Sequence, residues 1–445
     1  MHIIISLSFL FLFAFFDWSI SSLFANSVIF LLGSLYALRV DQPLRDDALK
    51  LFSITFCVYI AIAFIWSRSF LNFQYFYVSD PQNYLFRFFD SKDFSFNRDK
   101  LLLYYTASQG KDILYVESLQ AWCGFANVHL GGITVYSMTL LQTLFGILST
   151  MTLFQIISQY YGKRAFHYTL LFSLCSLFLM YSCLIIRDVI IAYFFIEAIR
   201  IVLNKFKIKN IFVLVLLIIL SAGIRLQSGA FLLSFLLLYI YQSAQGTKFQ
   251  NFARPILLIA VVFIAFLIFS SVFFETQVEE IGMKGESMEE RESESGGLIN
   301  NLLKLPMGLR QLAIMLFSQM APFPPHGTFM RATNPLQVLM GIDVVVYEVF
   351  WFFISYTVYY LMIFKDGYRI LSDKEKYLFI LAIVFFLALT NHPDIRRMMP
   401  MYPVIYLIYL NFKERIPRRT LKKTHSVLIV SYISLLVVYF SIKGF

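Results

Sequence analysis

The chain has 445 residues, 59% of them hydrophobic and only 14% charged, with a formal net charge of +10. No water-soluble domain of this size needs so much apolar surface, so a soluble enzyme is excluded and a polytopic membrane protein is indicated. The four cysteines, Cys57, Cys123, Cys175 and Cys183, form no Cys-x-x-Cys pair and indicate neither a disulfide framework nor a zinc site.

Windows apolar enough to cross a bilayer run over 2–16, 20–38, 49–66, 133–156, 165–186, 189–203, 211–224, 228–243, 255–274, 336–364, 377–391, 398–412 and 426–442. The first lacks a basic start and a small-residue cleavage site, so it reads as a retained anchor or short span and not as a signal peptide. The expectation is an all-α polytopic membrane protein, a single integral membrane domain over 1–445 with about 12–13 transmembrane helices. No long internal repeat or matched pair of broken helices is visible.

Taken alternately, one set of loops holds 21 of the 37 basic residues, including Arg39, Arg45, Lys163, Arg164, Arg200 and the run from Lys413 to Lys423. Lys/Arg bias orients membrane proteins, so these loops are expected to be cytoplasmic. The basicity is then mostly topology and not a nucleic-acid footprint. Two large segments remain outside, 67–132 and 275–335. The first is rich in aromatics. The second opens with a solvated acidic stretch from Glu279 to Glu294 and becomes amphipathic from Leu302 to Met320, a stretch expected to lie on the outer surface or to re-enter.

The polar residues that fit no simple packing role gather at outer ends of spans. They fall in five clusters: Ser79 to Tyr84, Arg187-Asp188, Arg225 to Ser228, Pro322 to Gly327 and Asn391 to Arg397. An ionisable group at membrane depth costs at least a few kcal/mol, which makes each a candidate. Arg187 and Asp188 have a bland alternative, with Asp188 capping a helix that begins at Val189 and Arg187 snorkelling and pairing with it. Arg225 follows Ser221-Ala222-Gly223, small residues that allow close helix approach, and precedes Gln227. Arg396 and Arg397 head a stretch with Pro400 and Pro403, which predicts a kinked or partly unwound start. Guanidinium groups converging on an outer cavity suit a diphosphate, because arginine offers planar bidentate donors and stays charged.

Asp80 is the candidate base for an acceptor hydroxyl, with Tyr84 beside it to meet a sugar face. Turn capping is the competing explanation for Asp80. Asp188, Asp394, His392 and His326 are rival bases, His326 reading more as part of a rigid Pro-rich bend that borders the substrate. Asp343 and Glu348, inside a span, are expected to pair internally or line a cavity.

At these residues the chain resembles multispan bacterial glycan polymerases of the O-antigen and exopolysaccharide kind. More loosely, it resembles polyprenyl-phosphate-dependent glycosyltransferases with the C-type membrane fold. The likeness rests on feature order over residues 70 to 410: Asp80 with Tyr84, Arg187-Asp188, Arg225 with Gln227, Pro322 to Pro324, then Arg396-Arg397 before Pro400. The resemblance implies an enzyme of the bacterial inner membrane, active on its outer face, whose arginines hold a polyprenyl-diphosphate-linked oligosaccharide while an outer acid activates the acceptor. It also implies a flippase and a chain-length regulator as partners. The first outer segment lacks the paired acids of metal-using C-type transferases, so chemistry without metal or cofactor is expected. The alternatives are a single-sugar transferase using a polyprenyl monophosphate donor, and a flippase or transporter of lipid-linked glycans.

Overall fold

The structure, a computed structural model, describes residues 2–70, 88–90, 92, 113–243, 305, 306, 309–320, 335–388 and 395–443. In chain order its helices are α1 (His2–Asp17), α2 (Ile20–Leu38), α3 (Gln42–Phe70), α4 (Ile113–His129), α5 (Val135–Tyr161), α6 (Ala165–Leu174), α7 (Leu177–Ser182) and α8 (Asp188–Leu203). There follow α9 (Ile208–Ile224), α10 (Leu226–Ser243), α11 (Leu309–Ser318), α12 (Pro335–Phe364), α13 (Asp373–Ala388), α14 (Ile395–Met398), α15 (Tyr402–Arg415) and α16 (Arg418–Lys443). No strand occurs among the described residues.

Five helical stretches among them are long and apolar enough to cross a bilayer: Ile20–Leu38, Gln42–Arg68, Val135–Leu174, Gly341–Phe364 and Arg418–Ser441. The chain is an all-helical membrane protein. Val135–Leu174 is not one rod, because Gly162 takes a φ of 53° and a 3-10 turn over Gly162–Arg164 sends α6 back along α5. The window expected at 255–274 lies outside the described residues, whereas the segment 67–132, expected to lie outside the membrane, contains α4, which periodicity did not reveal.

The chain divides into two compact units. The first comprises Met1–Asn204, Leu216–Gly229 and Pro325–Phe350; the second comprises Lys205–Val215, Ala230–Pro324 and Trp351–Phe445.

In the first unit α5 is the central helix, packed against α2, α3, α6, α7 and α8. Its sequence explains the position. Ser137, Thr139, Gln142, Thr143, Thr150 and Thr152 are all buried, and lipid offers such groups no partners, so the helix is stable only when neighbouring helices surround it. Ser21 of α2 donates to Ser137 at 3.1 Å, Tyr136 donates to Asn26 at 3.2 Å, and Thr152 donates to Glu197 of α8 at 2.8 Å. Interhelical bonds of this kind are worth about 0.6 kcal/mol each, so they stabilise collectively. Peripheral helices are the reverse: Phe212, Leu216 and Ile219 form one exposed apolar face of α9, as a lipid-facing stripe requires.

The expected single span over 165–186 is interrupted. Helix α6 stops at Leu174, Ser176 caps α7 by accepting from the Phe178 N–H at 3.3 Å, and the backbone is irregular from Cys183 to Arg187. Irregular backbone survives at membrane depth only where protein surrounds it, and Ser182, Cys183, Leu184, Ile185 and Ile186 are all buried. Thr143 donates to the Ser182 carbonyl at 2.9 Å and Tyr59 to the Ser173 carbonyl at 2.9 Å, replacing bonds a continuous helix would have made. Close approach depends on Gly146: a Cβ there would overlap the Ser182 side chain and stand 3.1 Å from the Tyr59 ring.

In the second unit α13 packs against α15. Ser372 and Glu375 form a capping box that starts α13, the Ser372 backbone N–H donating to Glu375 at 2.7 Å, and Asn411 of α15 donates to the same carboxylate at 2.7 Å. The amphipathic stretch from Leu302 to Met320 contains α11, whose ten residues are too few to cross. Tyr356 ties it down by donating to the Leu316 carbonyl at 2.9 Å.

Gly146→Ala is expected to destabilise the purified protein by about 1–3 kcal/mol, the usual cost of overpacking. A second change, Ser182→Gly, is expected to restore most of that loss. Thermal unfolding of both variants in detergent checks it.

Candidate functional site

Arg225 sits between α9 and α10, where the chain reverses. Its N–H donates to the Ser221 carbonyl at 2.7 Å and its own carbonyl accepts from Ser228 at 3.0 Å. A Cβ on Gly229 would stand 2.5 Å from the Ala222 Cβ and 2.9 Å from its backbone nitrogen. The two arms therefore touch at backbone level, and the small residues after Leu220 serve that contact. The turn presents the Arg225 guanidinium to Asp188, with Nη2 3.0 Å from Oδ1. Both ends of the pair are enclosed, the side chains being 14% and 3% exposed.

Asp188 is the first residue of α8, at the end of the irregular segment, and Arg187 is its half-buried N-cap, making no side-chain capping bond. Asp188 therefore does not cap a helix beginning at Val189, and its carboxylate is held by Arg225, 37 positions along the chain. A carboxylate at a helix N-terminus also meets the positive end of the helix dipole. The ion pair thus brings Arg225 to Asp188, the residue that follows Arg187 in the chain. Gln227 lies half-buried in the first turn of α10, two residues from Arg225.

Arg396 and Arg397 belong to the second unit, half-buried on α14. The four-residue helix gives way to a 3-10 turn over Met399–Met401 before α15 begins, as Pro400 and Pro403 require. The residues that follow the arginines in the chain are firmly held. The Tyr402 ring stacks on Trp351 with centroids 3.7 Å apart, Trp351 donates to Gln319 at 2.8 Å, and Gln319 donates to the Met398 sulfur at 3.2 Å. The sequence-predicted residues Asp80, Tyr84, His326 and Asp394 lie outside the described residues.

One polar cluster escaped the sequence reading. Asp17, at the end of α1, accepts from Ser22 and from Thr134 (2.5 Å) and pairs with Arg68 at 3.0 Å. Arg68 also donates to the Phe16 carbonyl at 3.1 Å and lies over the Phe64 ring. It fastens α1, α2, α3 and the start of α5 at one end of the bundle. The available signal was an acid followed by Ser19, Ser21 and Ser22 between two apolar runs. Cys123 on α4 is buried, and burial pushes its thiol up to about 12, which removes it as a nucleophile or ready metal ligand. Among the described residues no group of three or more His, Cys, Asp or Glu side chains is placed to hold a metal ion.

Comparisons with protein families, with curated proteins and with solved structures each find no match to this chain.

Removing one member of an enclosed ion pair strands the other, at about 3–5 kcal/mol. Asp188→Asn and Arg225→Gln are each expected to lower stability by that order. The double variant is expected to lose less than the two single losses combined. A double-mutant cycle on thermal unfolding measures the coupling.

Proposed function

We propose that this chain is a glycan polymerase of the bacterial inner membrane, joining lipid-linked oligosaccharide repeats by glycosyl transfer from a polyprenyl diphosphate on the outer face. The observation that carries the reading is the enclosed Asp188–Arg225 pair, next in the chain to Arg187, at the end of a buried, interrupted helix. A polyprenyl tail needs lipid beside the site, and a diphosphate needs preorganised cationic donors at the membrane surface. Arginine supplies both charge and fixed donor geometry there.

In the proposed reaction the acceptor hydroxyl oxygen attacks the anomeric carbon of the donor. The bond from that carbon to the diphosphate oxygen breaks, and the electron pair leaves with the diphosphate. Arg187 would stabilise the charge that develops on it. The hydroxyl proton passes to a carboxylate. Asp188 is engaged by Arg225 and is the least suited of the candidate acids, so its role is to position Arg225, leaving Asp80 or Asp394 as the base. The fold class that the reading implies is the C-type glycosyltransferase architecture with 12–13 spans.

A flippase or transporter of lipid-linked glycans is the second reading, favoured by the break between α6 and α8. Interrupted helices are common where transporters bind substrate. Purified protein in proteoliposomes with labelled lipid-linked repeats separates the two. A ladder of covalently joined repeats is expected, with Arg187→Ala reduced about a hundredfold and Arg187→Lys not restoring the rate. A single added sugar would indicate a monophosphate-dependent transferase, and translocation without joining would indicate a transporter. Either result overturns the polymerase.

A further inference from the structure

Between α8 and α9, within the second unit, the sequence alternates charge with apolar bulk as Lys205-Phe206-Lys207-Ile208-Lys209. All five side chains are exposed, Phe206 at 43% and Ile208 at 69%. One buried group fixes the backbone beneath them, the Tyr239 hydroxyl near the end of α10. It accepts from the Lys207 N–H at 2.7 Å and from Asn210 Nδ2 at 2.9 Å, and its own hydrogen is shared by the carbonyls of Lys207 (3.2 Å) and Lys205 (3.4 Å). The Phe206 ring lies against the Tyr239 ring, centroids 5.1 Å apart. A phenol accepts two hydrogen bonds and donates one, so Tyr239 spends its whole capacity on shaping this turn.

The lysines are left without a counter-charge. None of the three forms an ion pair among the described residues, and the sequence has no Asp or Glu between Glu197 and Glu275. Three like charges within five residues repel one another unless an anion is brought to them. The apolar residues between them say what kind of anion fits. Ile208 opens an exposed face of α9 that continues through Phe212 and Val215 at helical spacing, and in a membrane protein such a face meets acyl chains. The loop therefore stands where acyl chains give way to headgroups. Apolar side chains alternating with lysines at that level suit an anionic lipid surface. A soluble phosphate would satisfy the ammonium groups and leave Phe206 and Ile208 in water, whereas a phospholipid satisfies both.

We propose that the 205–209 loop is a docking site for anionic phospholipid headgroups. Lys205, Lys207 and Lys209 meet the phosphates, Phe206 and Ile208 enter the boundary beneath the headgroups, and Tyr239 holds the loop in shape. The Lys/Arg bias of the loops assigns this lipid to the cytoplasmic leaflet. The proposal stands whether the chain joins glycans or moves them.

Photolabelling of the full-length protein in phosphatidylcholine vesicles tests it. The vesicles carry a trace of photoactivatable phosphatidylglycerol or of photoactivatable phosphatidylcholine, and mass spectrometry quantifies the label on the peptide spanning 205–209. The anionic probe is expected to label that peptide at least about fivefold more than the zwitterionic one, the worth of a single lysine beside an anionic surface. Lys205→Gln, Lys207→Gln and Lys209→Gln together are expected to abolish the preference. Tyr239→Phe keeps every charge but releases the turn, and is expected to weaken it. Equal labelling of the wild type by the two probes overturns the proposal, as does a preference that survives the three glutamines. A preference erased by inorganic phosphate, at an ionic strength where chloride leaves it intact, would assign the site to a soluble anion and overturn it too.

Discussion

A carboxylate taken out of water and left beside apolar helices is held only if a cation is brought to it. Asp188 and Arg225 meet that requirement for each other at 3.0 Å. Much of the first unit follows from this pairing. It obliges the chain to reverse at Arg225, and the reversal obliges Gly229 to lie against Ala222. It also fixes the start of α8, so the preceding stretch reaches Asp188 as irregular backbone where a helix would have continued. The interruption in turn leaves helix-end carbonyls to be satisfied, and α3 and α5 supply hydroxyls to those of Ser173 and Ser182 through Tyr59 and Thr143.

Seen this way, the polar side chains of the membrane domain form a hierarchy. Hydroxyls and amides on α5 join helices through neutral bonds of modest strength. Three acids are fastened by a nearby cation: Asp17 by Arg68, Asp188 by Arg225 and Glu197 by Arg200. Glu197 adds Thr152 and Asp17 adds Ser22 and Thr134, so both carboxylates are saturated with donors and serve as joints. Asp343 has no such arrangement among the described residues.

The all-helical membrane class was legible from composition, and the helices over 20–38 and 189–203 sit almost where apolar windows put them. Those segments are long, uniformly apolar and bounded by turn or basic residues. The break after Leu174 was not legible. Ser and Cys are tolerated inside spans, and the residues that make the break affordable, Tyr59, Thr143 and Gly146, are distant in sequence. Asp188 and Arg225 were both visible as candidates, but their partnership was not, because hydropathy reports depth and sidedness without naming neighbours. Asp17 was overlooked for a related reason: a single acid at the end of an apolar run looks like a turn until Arg68 and Thr134 are found beside it.

The polarity of α5 has a consequence for how the protein is made. With buried serine, threonine and glutamine along much of its length, α5 is ill suited to stand alone in lipid. Its contacts with α2 and α3 precede it in the chain, so those helices emerge from the ribosome first and are already in the bilayer to receive it. The amino-terminal helices thus act as a cradle for synthesis as well as a wall of the finished bundle, and a chain begun after Leu38 would present α5 to hydrocarbon with part of its lining missing.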